Sequence, residues 1–527
     1  MATETPQTLA GPGRTSRDPK WWTLTAVCIG TFMLLLDITI VNVALPAIQD
    51  ALKSSFADLQ WVVDAYALTL AALLLTAGSL ADIFGRRRLW VGGLVIFTAA
   101  SALCGAAQNP RMLELSRGLQ GIGGAVMFSV SLALLANAFT GKERGVAFSV
   151  WGAITGLAVA IGPIVGGALV TGLSWRYIFF VNVPFGLVAV ALSVAKVVES
   201  RNEHARRPDL AGFVLFSLSL ASLVYALIES GISGFGSRTV IGAFVAAGLL
   251  LAAFVAVEWK IAEPMFDLSL FRLPTFSGGS IAAFGVSAGT FSILLYLVLY
   301  LQDVLGYSAL QTGLRLLVLS GGILAVSGIA GRLSSKVPVR LLIGPGLALT
   351  GIGLLAMRGL NASSTWTHLI PGLLIAGVGV GFINPPLAST AVGVVTPQRS
   401  GMASGINSTF RQVGIATGIA LLGTLFANHL VSSVAALTRG TPLATHAAAI
   451  SGGLESGNVP TLLASVPGSQ RALLATVMRS SFTSSLNEIA LVAAIVSFAS
   501  AGLALALIRS RDFVPAPAGQ VVAAVAH

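Results

Sequence analysis

Apolar residues in this chain do not alternate with polar ones; they gather into long runs separated by short polar stretches. A bilayer core needs about 20 apolar residues of helix, and about fourteen runs approach that length. They start near Trp22, Leu59, Leu89, Met112, Gly145, Tyr177, Leu210, Thr239, Phe276, Ala309, Leu341, His368, Gly401 and Phe482. The strands of a membrane barrel would show a period of two, which these runs lack. The pattern therefore predicts an all-α integral membrane protein, and an even number of spans puts both termini on one side.

Charge identifies that side. Only 10% of the 527 residues are charged, where a soluble domain carries roughly 25%. Cytoplasmic loops retain Lys and Arg, and roughly 20 of the 31 basic residues fall on one face of the predicted topology. Arg14, Arg17 and Lys20 precede the first run, Arg86, Arg87 and Arg88 follow the second, and Lys142 and Arg144 follow the fourth. Lys196, Arg201, Arg206, Arg207, Lys260, Arg272, Arg332, Lys336, Arg340, Arg399, Arg509 and Arg511 complete the set. Both termini are therefore expected in the cytoplasm. The net charge of +11 is divided among short loops, which fits membrane topology and not a nucleic-acid partner. Cys28 and Cys104 fall near opposite ends of their helices, too far apart for a disulfide, and read as packing residues.

Two polar links, "ESRNEHARRPDL" and "EWKIAEPMFDLSLFRLP", bracket runs seven and eight. The expected organisation is a disordered cytoplasmic tail (1–21), a six-helix bundle (22–198), two additional helices with their links (199–275), a second six-helix bundle (276–508) and a tail (509–527). A faint repeat, "GSLADIFGRRRL" and "GRLSSKVPVRLL", supports two related halves. Residues 430–480 form one long outer loop, read as a spacer with a functional cap as the alternative.

Charges inside apolar helices need a partner, a wet cavity or a function, since each costs ~2.5–3.5 kcal/mol on insertion scales. Asp37 and Glu488 are the clearest acids, with Glu114 nearer a helix end, and Arg117, Arg315 and Arg411 are the bases. Asp37 lies about 14 Å and Arg117 about 10 Å from the outer ends of their runs, so the two are expected to meet at one level of a wet cavity. That pair is either a proton-sensitive site or a static tie between helices one and four. Glu488 lies at a depth where it could face Arg315, as a structural pair or a substrate site. In "GSLADIFGRRR", Asp82 ends the second helix, and Gly85 can take positive φ for a sharp turn. In "GAITGLAVAIGPIVGGAL", Gly152, Gly156, Gly162, Gly166 and Gly167 recur at nearly helical spacing around Pro163, which suits close helix packing beside a bend.

Together these stretches resemble the major facilitator superfamily, specifically its fourteen-helix drug:proton antiporter branch. "LDITIVNVALP" is similar to the first-helix pattern, with Asp37 at its membrane acid. "GSLADIFGRRR" resembles the loop 2–3 motif at Gly78, Asp82, Gly85 and Arg86, and "LSRGLQGIGGA" the helix 4 motif with its arginine at Arg117. "GPIVGG" resembles the antiporter motif of helix 5. "WRYIFFVNVPFG", "LYLQDVLGYSALQTGL" and "SGMASGINSTFRQVG" extend the likeness along the chain. Helix 10 departs from it, with Val318 where the family often has proline. The resemblance implies two bundles around a central cavity, alternating access, and Asp37 with Arg117 coupling protons to efflux of amphipathic drugs, antibiotics or dyes. It implies no cofactor beyond the proton, a monomer as the usual form, and the cytoplasmic membrane of a bacterium. A dedicated exporter of one metabolite or lipid is the alternative.

Phe32, Tyr66, Phe128, Phe284, Tyr296 and Phe382 are candidate cavity-lining aromatics. Enzyme readings are weaker: "GVSAG" (285–289) lies inside an apolar helix, all five His are in loops, tails or helix ends, and no phosphate-binding Gly-x4-Gly-Lys loop occurs. A channel would conduct without accumulating a substrate, and the antiporter motifs argue against it.

Overall fold

A computed structural model describes residues 19–139, 141–201, 209–261, 264, 266–334, 336–395, 400–455 and 467–513. The expected tail up to residue 18, the segment beyond 513 and Arg14, Arg17, Arg206, Arg207 and Arg399 lie outside the described residues. Every described regular element is helical. The long helices are α1 (Pro19–Leu52), α2 (Phe56–Phe84), α3 (Arg86–Gly105), α4 (Pro110–Ala138), α5 (Gly141–Gly172), α6 (Tyr177–Lys196) and α7 (Leu210–Ser233). They continue as α8 (Arg238–Lys260), α9 (Pro274–Val304), α10 (Ala309–Leu333), α11 (Arg340–Ala356), α12 (Ile370–Gly393), α13 (Ser400–Thr438) and α14 (Arg471–Leu507). Thirteen of them are long and apolar enough to cross a membrane, and α11 is a shorter apolar helix.

Local chemistry sets the boundaries. Ser55 and Asp58 form a capping box at the start of α2, with Ser55 N donating to Asp58 Oδ2 (2.7 Å) and Asp58 N to Ser55 Oγ (3.2 Å). Ser308 and Gln311 do the same for α10. Asn109 accepts from Met112 N ahead of Pro110, which opens α4. Gly85, at φ +104°, ends α2 and starts α3. Its conformation is one that residues with a Cβ rarely adopt.

Helices α1–α6 pack mainly on one another, as do α9–α14. Helices α7 and α8 pair through Ser219 Oγ and Ala247 O (2.9 Å), and α7 lies against α2 and α13. The two halves meet along α5 against α10 and α2 against α13.

Two expectations change. Helix α1 runs through Pro46 to Leu52, and α14 begins at Arg471, well before Phe482. The supposed spacer 430–480 is largely helical where described: it holds the end of α13, the helix Ala447–Glu455 and the start of α14. Val434, Leu443, Ile450, Leu474, Val477 and Met478 give this outer segment an apolar core, which their wide spacing among small and polar residues concealed.

Candidate functional site

Asp37 and Arg117 meet, as their depths predict, with Arg117 Nη1 2.6 Å from Asp37 Oδ2. The wet cavity does not accompany them: Asp37 is 0% and Arg117 1% exposed, inside the N-terminal bundle. Four helices supply the remaining partners. Gln120 Nε2 on α4 and Asn182 Nδ2 on α6 donate to Asp37 Oδ1 at 2.9 and 3.0 Å. Gln120 Nε2 also donates to Ser101 Oγ on α3 (2.7 Å). Arg117 donates further to Gln120 Oε1 (2.7 Å) and to the Val62 carbonyl of α2 (3.0 Å), and its guanidinium lies 4.3 Å from the Tyr66 ring centroid. A carboxylate and a guanidinium withdrawn from water are thus compensated by each other and by amide and hydroxyl groups, the condition under which a buried pair is tolerated. Ser101, Gln120 and Asn182 were not anticipated; they are polar residues at one level of otherwise apolar helices, the signal that could have found them.

A second acid was also missed. Asp64, in "LQWVVDAYAL" of α2, is fully buried, and neither carboxylate oxygen has a hydrogen-bond partner among the described residues. Gln60, one turn away on the same face, donates to the Ile419 carbonyl of α13 (3.0 Å), as does the Tyr296 hydroxyl of α9 (2.9 Å). Tyr66 lies about 200° round α2 from Asp64 and faces Arg117. One helix therefore carries the ion-pair network on one face and an unpartnered carboxylate at the junction of the halves on the other.

The glycine motif of α5 makes two tight contacts. A Cβ on Gly162 would strike Thr39 of α1, and one on Gly166 would lie 2.8 Å from Ile40 Cγ1. On the opposite side, a Cβ on Gly167 would lie 2.6 Å from the Ala309 carbonyl of α10, and one on Gly313 would strike the Pro163 carbonyl. Leu310 N donates to Thr171 Oγ1 at 3.1 Å just beyond. Farther inward the helices part: Leu324 is 3.9 Å from a Cβ built at Gly156, and among the described residues nothing lies within 4 Å of one at Gly152. Gln302 Nε2 of α9 donates to the Val43 carbonyl of α1 (2.8 Å), so the outer halves are closed against each other.

At the inner face, Glu199 beyond α6 accepts from the amides of Arg87 (3.0 Å) and Arg88 (3.2 Å) at the start of α3, and Arg86 N donates to Ser200 O (2.8 Å). A carboxylate satisfying helix N-terminal amides is worth about 0.5–2 kcal/mol. Glu199→Ala is expected to destabilise the fold by that modest amount, read as a lower midpoint of thermal unfolding in detergent. Gly78 brings α2 against Ser129 of α4, 2.9 Å from a Cβ built there. The Asp82 side chain lies outside the described residues.

Other candidates are placed differently from expectation. Glu488 does not face Arg315, because α14 packs on α9, α11 and α13 while α10 packs on α5 and α12. Arg315 instead stacks on Tyr307 and Trp366, at 3.6 and 5.0 Å from their centroids. Arg411 donates to Asn384 Oδ1 (3.0 Å) across α13 and α12. Tyr66 and Tyr296 are buried in helix contacts and do not line open space. Phe32, Phe128, Phe284 and Phe382 are half-buried, Phe32 beside Phe185 and Phe128 beside Trp151. Cys28 and Cys104 are both free and buried. Ser287 of "GVSAG" is buried in a π-helical turn, Ser287–Phe291.

Comparison with known proteins gives the family and the fold. The family model described as Major Facilitator Superfamily matches residues 27–419. The chain is 38% identical over 413 residues to the multidrug resistance protein Stp of Mycobacterium tuberculosis (strain CDC 1551 / Oshkosh), covering 78% of this chain and 77% of that one. It is 33% identical over 516 residues to the tetracenomycin C resistance and export protein of Streptomyces glaucescens, covering 96% and 95%. Its fold is similar to the crystal structure of a bacterial homolog of the human lysosomal transporter Spinster, inward-facing and unoccupied, with a TM-score of 0.66 at 16% identity over 95% of this chain and 100% of that one. By fold, ordered motifs and relatives alike, this multi-pass membrane protein belongs to the major facilitator superfamily of transporters.

Proposed function

We propose that the chain exports amphipathic small molecules such as drugs, antibiotics or dyes, in exchange for protons entering from outside. The observation that carries this reading is the fully buried Asp37–Arg117 pair, set in a polar network inside a superfamily transporter whose relatives include drug-resistance proteins. A proton arriving at Asp37 removes its negative charge and leaves Arg117 to Gln120, Val62 O and the Tyr66 face, all of which it already contacts. Helix α2 receives that change through Val62 and Tyr66. Its opposite face meets α9 and α13 at Gln60 and Asp64, so protonation within one bundle acts on the contact between the halves. Asp64 is the second proton carrier in this scheme, since it is a fully buried carboxyl group without a partner among the described residues at the junction of the halves.

Dye efflux in inverted vesicles tests the exchange. The unmodified chain is expected to move dye only when a proton gradient is imposed, and Asp37→Asn to lose gradient-driven movement; undiminished driven transport by Asp37→Asn would contradict the assignment. Asp64→Asn is expected to separate stability from function. Coupled transport falls while the unfolding midpoint holds or rises, because the amide keeps the shape of the carboxyl group and no hydrogen bond is lost. A purely structural Asp64 would instead give a lower midpoint, with transport falling only in proportion to folded protein.

A further inference from the structure

The outer face contains a cavity of about 250 Å³ lined by Asp303, Leu454, Ala475, Met478, Arg479 and Phe482, among others. It is built from three segments: the end of α9, the start of α14 and the helix Ala447–Glu455, which lies over it through Leu454. Asp303 sits in the π-helical turn Tyr300–Val304, a local widening of the helix of the kind that often marks functional positions. Among the described residues its carboxylate has no hydrogen-bond or ion-pair partner, although Arg479 lines the same cavity. Asp303 is the one acid of the lining and is half-buried, while Arg479 is exposed at the rim.

The rest of the wall is apolar, and the floor is aromatic. Phe482 stacks on Tyr300 (centroids 6.2 Å apart) and meets Phe426 edge-on at 4.9 Å. Phe426 in turn contacts Tyr296 at 5.4 Å and Phe56 at 5.8 Å. This layer separates the cavity from the junction of the halves, where Gln60 and Tyr296 share the Ile419 carbonyl.

We propose that this cavity is an outer binding site for a compact amphipathic cation, with the positive charge held by Asp303 and the apolar body held between Leu454, Met478 and Phe482. A carboxylate facing open space, a large apolar wall and an aromatic face fit an alkylated ammonium. The volume falls just below the about 300–1,000 Å³ of drug sites and suits a one-ring cation or the charged end of a larger one. That the site lies on the exit route rests on the export reading; the binding itself does not.

The test uses the full chain carrying Ala475→Cys in right-side-out vesicles without a gradient, where the buried Cys28 and Cys104 give little background. The readout is the rate at which a trimethylammonium methanethiosulfonate, added outside, modifies the new cysteine. Benzyltrimethylammonium is expected to slow that rate saturably, and the uncharged neopentylbenzene is not. Asp303→Asn should raise the half-protecting concentration by about tenfold or more, and Arg479→Gln should lower it. Equal labelling of all variants by the neutral methyl methanethiosulfonate confirms that the cavity is formed. Absence of protection, equal protection of Asp303→Asn, or equal protection by neopentylbenzene would overturn the proposal. Loss of driven dye efflux in Asp37→Asn bears on the coupling reading alone, so the two fail separately.

Discussion

Arg117→Ala is expected to destabilise the fold and stop transport together. The substitution leaves the Asp37 carboxyl group 0% exposed, without its cationic partner and held only by Gln120 and Asn182. Removing one member of a buried ion pair costs about 3–5 kcal/mol, chiefly because the other charge is stranded. The tie from Arg117 Nε to the Val62 carbonyl is lost as well, loosening α2 from α4. Combining Arg117→Gln with Asp37→Asn removes both charges and keeps amides where the network has polar partners, so most of the stability should return. Proton-driven transport should not return, because the double variant has no group at this site that changes charge. Thermal unfolding in detergent beside vesicle efflux measures both quantities, and the non-additivity of the two substitutions gives the coupling between them. A double variant as unstable as Arg117→Ala would mean that the pair's charges are not what holds these helices.

Gly313→Val is expected to block the transport cycle while leaving the chain folded. Its Cβ would meet the Pro163 carbonyl, a backbone atom that cannot rotate away, at the point where α10 crosses α5. The clash falls on the closed arrangement of the outer halves. Overpacking costs about 1–3 kcal/mol, enough to shift a two-state balance by about five- to 150-fold. Transport should fall by a comparable factor, and a cysteine buried at the outer end of the α5–α10 contact, such as Ala309→Cys, should label faster from outside. Gly152→Ala, with nothing within 4 Å, is the matched control and should transport normally. The same contact explains the pattern of the α5 glycines: Gly162 and Gly166 admit α1, Gly167 admits α10, and Gly152 faces open space.

The sequence carries the helices and the chemistry of single positions far better than it carries which faces meet. Apolar runs locate the helices because bilayer thickness sets their length, and equal depth brings Asp37 to Arg117. Depth says nothing about rotation around an axis. Glu488 and Arg315 therefore looked matched by level yet belong to helices that are not principal neighbours, and the Asp37 site looked wet although Ser101, Gln120 and Asn182 close it. Asp64 was legible as a lone acid within α2, but its isolation depends on α9 and α13, which lie far away in sequence. The outer helix Ala447–Glu455 escaped for a different reason, since its apolar contacts with α13 and α14 come from residues spaced among small and polar ones.

The coupling of substrate to proton at Asp37 is most directly read as proton release. Purified protein in weakly buffered detergent, with a pH indicator dye present, is titrated with a transported dye of distinct absorbance near the pH at which binding and protonation compete. The unmodified chain should release protons as substrate binds, and Asp37→Asn should release fewer while still binding substrate. Equal release from both proteins would contradict proton carriage by Asp37 and leave its pair with Arg117 a structural tie.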